Sequence, residues 1–217
     1  IAEATRQDRL VHVIGTGVHS RLATEDAFFR AGGLANVNPI FALPMESGVR
    51  HITAQERRPE PVKALLDMYP LRPGDPLIVA NLYGMNAFTI ETLLQAAECG
   101  LRVILLTSVE CAKQIPPDHP SRHPSRLNAA QAPHEVLIDV PMPMGDALMY
   151  FENCPFPVGP SSCVLLSFTL HALFATAISK LLAQGFDAPV IRSINTPDCG
   201  VANERLWAKY GIRVKHL

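Results

Sequence analysis

The chain has 217 residues, of which 48% are hydrophobic, and its formal net charge is −1. This length suits one domain with a sizeable core, and the near-zero charge gives no electrostatic basis for binding nucleic acid or an anionic membrane. The 5 cysteines are odd in number and form no C-x-x-C pair, which argues against a disulfide framework and a zinc knuckle. We therefore expect a single domain over residues 1–217 of a cytoplasmic protein.

The first well-defined pattern is the stretch Leu10–Gly33, which predicts a strand, a glycine turn and a helix start. The β-branched run Val11–Ile14 ends at a G-T-G turn, and apolar residues at helical spacing follow. In a parallel sheet this junction lies at the carboxyl end of the strand, where free N–H groups at the helix start face a ligand. Gly17, His19 and Ser20 are therefore candidate ligand-binding residues, and Ser20 has an alternative role as the helix N-cap.

The rest of the chain alternates between extended and helical patterns. Residues 1–9 resemble the end of a helix, and residues 45–59 predict a loop with a short helix. Further strands are predicted over 35–42, 77–80, 102–106, 135–140 and 190–194, and further helices over 61–69, 87–99, about 161–184 and 201–210. This order predicts an α/β fold with three layers, in which an open parallel sheet of about five strands carries helices on both faces.

Ligands in such folds bind beyond the carboxyl ends of the strands. The loops expected there are 15–20, 81–86, 107–108 and 195–200, with the helix cap at 159–162 nearby. Their candidate binding residues are Tyr83, Gly84, Asn86, Thr107, Ser108, Ser161 and Ser162. Most of these polar side chains would serve equally well as helix caps.

A long loop rich in proline and histidine spans residues 115–133, and loops of this length in compact domains are usually functional or disordered. His119 and His123 have the H-x-x-x-H spacing of a zinc site, but neighbouring prolines exclude the helix that such a site needs. We expect no metal there. The alternative is that the loop folds over the pocket and contributes a histidine, for which His123 is the candidate.

The glycines of the first turn raise the possibility of a dinucleotide site. The pattern G-x-G-x-x-G requires a third glycine, and Ser20 occupies that position. We therefore expect no cofactor.

Taken together, short motifs along nearly the whole chain resemble the sugar isomerase (SIS) domain family. They are G-T-G-V-H-S at 15–20, E-D-A-F-F-R-A-G-G at 25–33, N-P-I at 38–40, L-R-P-G-D at 71–75, L-L-T-S at 105–108, S-R-H-P-S at 121–125, G-D-A-L at 145–148, V-G-P-S-S at 158–162 and N-E-R-L at 203–206. The resemblance implies the fold predicted above and a stand-alone phosphosugar isomerase or phosphosugar-binding protein. It also implies assembly into a homodimer or homotetramer.

The resemblance places phosphate recognition in the loop 81–86. Gly84 and Asn86 match the family pattern there, whereas Tyr83 replaces a serine and Met85 stands where similar proteins often carry arginine. Val18 is an additional residue in the first loop. These differences remove strong partners of a phosphate. A phosphosugar and a sugar whose anion is not phosphate both stay open as substrates.

The resemblance also implies catalytic residues. Glu25 matches the acidic residue suited to act as base in SIS aldose–ketose isomerases, and His171 lies where related heptose-phosphate isomerases carry a catalytic histidine. Isomerisation through an enediol needs one base at carbon and one acid–base group at the oxygens, so this pair needs no cofactor. The alternative roles are an ion pair of Glu25 with Arg21 and a core position for His171.

The sequence thus predicts a sugar or phosphosugar aldose–ketose isomerase that uses Glu25 and His171. Two other functions remain open from the same features. One is a sensor that binds a sugar phosphate without turnover, and the other is an ether lyase, which would use a similar carboxylate base.

Overall fold

The computed structural model describes residues 1–42, 48–197 and 199–217, so parts of the predicted segments 45–59 and 195–200 lie outside the described residues. A 5-stranded parallel sheet forms the centre, with strand order β2-β1-β3-β4-β5. Its strands are β1 (Val11–Gly15), β2 (Val37–Pro39), β3 (Pro76–Ala80), β4 (Arg102–Thr107) and β5 (Val136–Asp139). The predicted α/β fold with a parallel sheet and helices around it is confirmed.

Helices cover both faces of this sheet. They are α1 (Ala2–Arg6), α2 (Ser20–Ala27), α3 (Val49–Glu56), α4 (Pro61–Leu66), α5 (Ala87–Glu98), α6 (Val109–Gln114), α7 (Ser162–Ala183) and α8 (Cys199–Tyr210). Alternate residues of a strand face opposite sides of a sheet, which divides the core in two. Leu77 and Val79 of β3 pack with α3, α4 and α5, whereas Ile78 and Ala80 pack with α2 and α7.

The predicted strand at 190–194 is wrong. Val190 forms only an isolated antiparallel bridge to Leu34, and Ile191 packs against Tyr210 of α8 in a third, smaller core cluster. Ile191 is buried beneath α8, whereas Ile194 is 66% exposed. A short apolar segment has the same local pattern whether it pairs in a sheet or only packs.

The long connection 141–160 contains structure that its composition did not predict. It folds into an antiparallel hairpin of β6 (Ala147–Met149) and β7 (Val158–Pro160), which leads directly into α7. The hairpin fixes the position of Asp146 in front of that helix, with consequences for the site described below.

The helix α7 is the most apolar element of the fold. In the described part of the chain it is the one helix long and apolar enough to cross a membrane by length and composition alone, and a single helix of this kind is weak support for a membrane span. One stripe of α7 is buried in the core through Leu166, Leu170 and Phe174. The opposite side is exposed, including Val164 and Phe168.

Candidate functional site

Two cavities lie at opposite ends of the central strands β1 and β3. The cavity at the amino ends has a volume of about 570 Å³, but four of its charged side chains form ion pairs with one another. Arg9 pairs with Asp75 at 2.9 Å and Arg213 with Asp8 at 2.8 Å. The cavity at the carboxyl ends has a volume of about 470 Å³. We identify this second cavity as the candidate site, because ligands of doubly wound parallel sheets bind at that end.

The strand order explains why a crevice opens there. β1 and β3 are neighbours in the sheet, yet the helices that follow them pack on opposite faces, α2 on one side and α5 on the other. The two loops after these strands therefore separate from each other. Such a topological switch point is where doubly wound folds place their ligands.

The cavity brings together several residues that the sequence indicated. They are Gly17, His19, Ser20, Tyr83, Asn86 and Ser162. Glu56, Arg57, His119 and Asp146 also line it. A histidine from the loop 115–133 was predicted, although His123 was favoured over His119, and no sequence pattern indicated a site role for the other three residues. The cavity is therefore built from six separate parts of the chain, which are the loops after β1 and β3, helix α3 with Arg57, the loop 115–133, the connection before β6 and the start of α7.

Glu56, the last residue of α3, has the most unusual environment in this cavity. One oxygen of its carboxylate accepts a hydrogen bond from the Val18 N–H, and Oε2 accepts one from Asn86 Nδ2 at 3.2 Å. Burial raises the pKa of this carboxyl above its ordinary value, and the two hydrogen bonds and the charges of His19 and Arg57 only partly oppose that effect. A carboxyl with a raised pKa inside a cavity is a candidate for accepting and returning a proton.

Asp146 occupies the start of α7. The N–H groups of Ser161 and Ser162 donate to its Oδ1 at 2.9 and 2.6 Å, and the Ser162 hydroxyl donates to Oδ2 at 2.8 Å. Burial would raise the pKa of Asp146, but these hydrogen bonds outweigh it and hold the pKa below its ordinary value. The backbone of Asp146 adopts the left-handed region, at a φ of 68°. The predicted residues Ser161 and Ser162 therefore bind a protein carboxylate.

The loop after β3 is packed tightly against its neighbours. Gly84 has a φ of +58°, and a Cβ there would lie 2.7 Å from the Thr107 hydroxyl oxygen, so glycine is required by both conformation and space. The Gly84 N–H donates to Asn81 Oδ1 at 3.0 Å. Tyr83 forms a hydrogen bond with the backbone of Gly145, and burial raises the pKa of its hydroxyl.

Thr107 is the last residue of β4 and Ser108 follows it, as predicted. Neither residue lines the cavity. The Thr107 hydroxyl donates to the Leu82 carbonyl at 3.3 Å. Ser108 accepts a hydrogen bond from the Cys111 N–H at 3.3 Å and so caps α6. Both side chains have the structural role that a hydroxyl at an element end commonly has.

The proline-rich loop folds over the cavity, and Arg122 holds it in place. The guanidinium of Arg122 donates to the carbonyls of Pro116 at 2.7 Å and Leu127 at 3.1 Å. This arrangement brings His119 to the cavity wall. His123, the histidine that the sequence favoured, instead contacts Glu91 at 3.1 Å and does not line the cavity.

Glu25 and His171, the predicted catalytic pair, also lie outside the lining of this cavity. Glu25 forms an ion pair with Arg21 at 2.6 Å, which is the structural alternative considered for it. His171 contacts Asp26 at 2.8 Å on the α2–α7 side of the molecule. The two side chains bind different partners, and their catalytic role stays a prediction.

Comparison with known proteins places the chain in a family. The SIS domain profile matches residues 1–108, which supports binding of a sugar or phosphosugar. UPF0309 proteins of Brucella canis and of Brucella melitensis biotype 2 are each 36% identical over 219 residues, covering 100% of this chain and 86% of the relative. The UPF0309 protein of Brucella anthropi is 37% identical with the same coverage. The chain therefore belongs to the UPF0309 family of SIS-domain proteins.

Proposed function

We propose that the protein binds a sugar in the cavity at the carboxyl ends of β1 and β3 and interconverts its aldose and ketose forms without a cofactor. The observation that carries this proposal is the half-buried carboxyl of Glu56 inside that cavity, with its raised pKa. A proton-transfer reaction between adjacent carbons needs a base of this kind.

The proposed reaction assigns one role to each side chain. Glu56 takes the proton from the carbon next to the carbonyl, and the pair of electrons left behind forms the enediol. His19, which lines the same cavity, moves a proton between the two oxygens. Glu56 then returns its proton to the neighbouring carbon, so the reaction consumes no co-reactant.

A raised pKa serves this reaction in two ways. The ionised Glu56 is a stronger base than an exposed carboxylate, because burial disfavours its charge. The protonated Glu56 nevertheless remains a better acid than water for the return step. Two neutral donors, the Val18 N–H and Asn86 Nδ2, hold the carboxylate in position without removing its basicity by an ion pair.

The assignment of Glu25 and His171 is tested in the same assay. We would measure interconversion of a panel of aldoses and ketoses, with and without phosphate, by wild type and by Glu56→Gln, Glu25→Gln and His171→Asn. Loss of general acid–base catalysis lowers the rate by about 10²- to 10⁴-fold. We expect this loss for Glu56→Gln, while Glu60→Gln, an exposed glutamate four positions further along the chain, serves as the matched control.

Full activity of Glu56→Gln would contradict the role of Glu56, and an equal loss in Glu25→Gln and His171→Asn would return the assignment to that pair. Saturable binding of a sugar without turnover by wild type would indicate a sensor. Release of a fragment from a sugar ether, with no isomerisation, would indicate a lyase.

We further propose that the protein forms a homo-oligomer through the exposed side of α7. Val164 and Phe168 are 70% and 74% exposed, and Ala172 and Ala175 continue the same side of the helix. An apolar stripe with small residues at its centre suits close packing against a second helix. Light scattering should show a multimer for wild type and a monomer for Phe168→Glu, with Val201→Glu on exposed α8 as control. A monomeric wild type would refute this assembly.

We expect a cytoplasmic location and no nucleic-acid partner, in line with the composition.

A further inference from the structure

We propose that the substrate of this site is a sugar without a phosphate group, because two carboxylates of the protein occupy the positions that would otherwise bind the phosphate. This inference rests on the proposed function of the cavity as a sugar site. It assigns to Asp146 and Glu56 the exclusion of phosphorylated sugars.

Asp146 fills the first of these positions. The start of a long helix offers free N–H groups and a partial positive charge, and α7 points its start at the cavity. Asp146 accepts hydrogen bonds from the N–H groups of both Ser161 and Ser162. The donors with which α7 would hold a phosphate are therefore satisfied by a fixed negative charge, and a phosphate approaching them would meet repulsion.

Glu56 fills the second position, between the starts of α2 and α5. It accepts the Val18 N–H from the loop that leads into α2. It also accepts the side-chain amide of Asn86, the N-cap residue of α5. The carboxyl group of Glu56 thus lies between the loops after β1 and β3, which flank the switch point.

Two backbone donors, one in the loop after β3 and one at the start of α5, are already used within the protein. The Gly84 N–H is used by Asn81 Oδ1 at 3.0 Å, and the Ala87 N–H is used by the Ser121 carbonyl at 2.9 Å. Tyr83, which stands where a phosphate-binding serine would be expected from the resemblance, directs its hydroxyl to Gly145, next to Asp146. The same substitution that removes a phosphate ligand therefore supports the loop that positions the competing carboxylate.

The charge of the cavity agrees with this assignment. Among the described residues that line it, Glu56 and Asp146 are acidic and Arg57 is the single lysine or arginine, beside two histidines, His19 and His119. A phosphate monoester adds about 1.5 to 2 negative charges at neutral pH. The hydroxyl groups of an unphosphorylated sugar fit the lining better, because carboxylates accept hydrogen bonds from hydroxyls and Asp146 Oδ2 has a further lone pair available.

The first test compares matched ligands on wild-type protein. Thermal unfolding is measured with aldoses and ketoses, with their phosphate monoesters and with inorganic phosphate at constant ionic strength. We expect one or more unphosphorylated sugars to raise the Tm by about 3 to 6 °C at about ten times their Kd. We expect no saturable rise with any phosphate monoester or with inorganic phosphate.

The second test removes the competing charge. Asp146→Asn keeps the shape of the side chain and removes its negative charge, so inorganic phosphate no longer meets repulsion at the start of α7 and should raise the Tm saturably. Asp139→Asn is the matched control, since Asp139 also accepts a helix-start N–H, that of Val109 at 2.9 Å, but does not line the cavity. It should respond to phosphate as wild type does.

The outcomes separate this inference from the proposed function. Saturable stabilisation of wild type by phosphate monoesters, with their unphosphorylated forms inactive, would overturn the inference and leave the sugar site intact. A folded Asp146→Asn protein that ignores phosphate would overturn the role of Asp146. If neither class of ligand binds wild type or is turned over, the proposed sugar site itself is wrong. If Asp146→Asn does not fold, the comparison of ligands on wild-type protein still tests whether the site excludes phosphorylated sugars.

Discussion

The two ends of the central strands β1 and β3 use polar residues in opposite ways. At the amino ends, fully buried His12 lies between Asn38, at 3.0 Å, and Asp75, at 3.4 Å, and Arg9 completes the group with an ion pair to Asp75. At the carboxyl ends, Glu56 faces a cavity, and the two donors that bind it among the described residues are neutral. Polar groups that satisfy one another contribute stability, whereas a carboxyl with a raised pKa costs stability and is available for chemistry.

In parallel α/β folds the two ends of the strands have different roles, and this difference in polar contacts agrees with them. At the amino ends of the strands, hydrogen bonds connect β1, β2 and the turn before β3. Asn38 Oδ1 also accepts the Lys215 N–H at 3.0 Å, which attaches the C-terminal segment. The carboxyl ends carry the loops that meet a ligand. Substitutions at the amino ends of the strands should therefore change the stability of the fold. Substitutions at the carboxyl ends should change ligand binding and the reaction rate.

The largest stability effect is expected from His12→Leu. Leucine leaves Asn38 Nδ2 buried without a partner and removes the imidazole from Asp75 Oδ2, which keeps the Arg72 N–H at 3.1 Å. We expect a cost of about 3 kcal/mol from these two losses. For a chain of this length the Tm should fall by about 6 to 12 °C. Calorimetry provides the measurement, with His51→Leu on the exposed face of α3 as control. Activity of the folded fraction should be unchanged, and a selective loss of activity would contradict the separation of the two ends.

A smaller loss is expected from Asp146→Ala. The variant removes the cap of α7, which typically contributes about 1 to 2 kcal/mol. Because the pKa of Asp146 is lowered by folding from its ordinary value of 3.8, the carboxylate stabilises the fold above that value. Its contribution is lost as the pH falls through the lower pKa of the folded state.

Urea unfolding at several pH values measures this effect. The difference between wild type and Asp146→Ala should be constant at neutral pH and shrink only in strong acid. A difference that disappears already at mildly acidic pH would show that the carboxylate does not cap the helix as described.

The smallest effect, of opposite sign, is expected from Glu56→Gln. Folding raises the pKa of Glu56 from its ordinary value of 4.5, so the folded state favours the protonated form. The stability that wild type gains from this proton is present below 4.5 and is lost as the pH rises through the raised pKa. Glutamine does not titrate, so the variant should be more stable than wild type at neutral pH by about 1 kcal/mol or less.

Unfolding curves recorded across this pH range test the sign of that difference. A variant that is less stable than wild type at neutral pH would mean that the hydrogen bonds of the carboxylate outweigh its burial. Greater stability combined with lost activity would identify Glu56 as a residue kept for function.

Much of the fold follows from local patterns. The buried runs that became β1, β3 and β4 are continuous and apolar, as expected for strands covered on both faces, and α5 ends near a glycine, Gly100, as its pattern predicted. The prediction at 190–194 failed because an apolar run does not reveal whether it pairs or only packs. The family resemblance added the identity of the fold along nearly the whole chain.

The sequence also located the main loops of the site, at Gly17 to Ser20 and at Tyr83 to Asn86, because strand ends and glycine turns are local features. It could not locate Glu56 or Asp146. Glu56 reaches the cavity only because α3 packs against α5, and Asp146 reaches the start of α7 only because the hairpin β6–β7 folds back. The sequence by itself located the loops after β1 and β3, whereas the loop 107–108, which it also predicted, does not line the cavity. Which acidic groups enter the cavity was decided by tertiary packing between segments far apart in the chain.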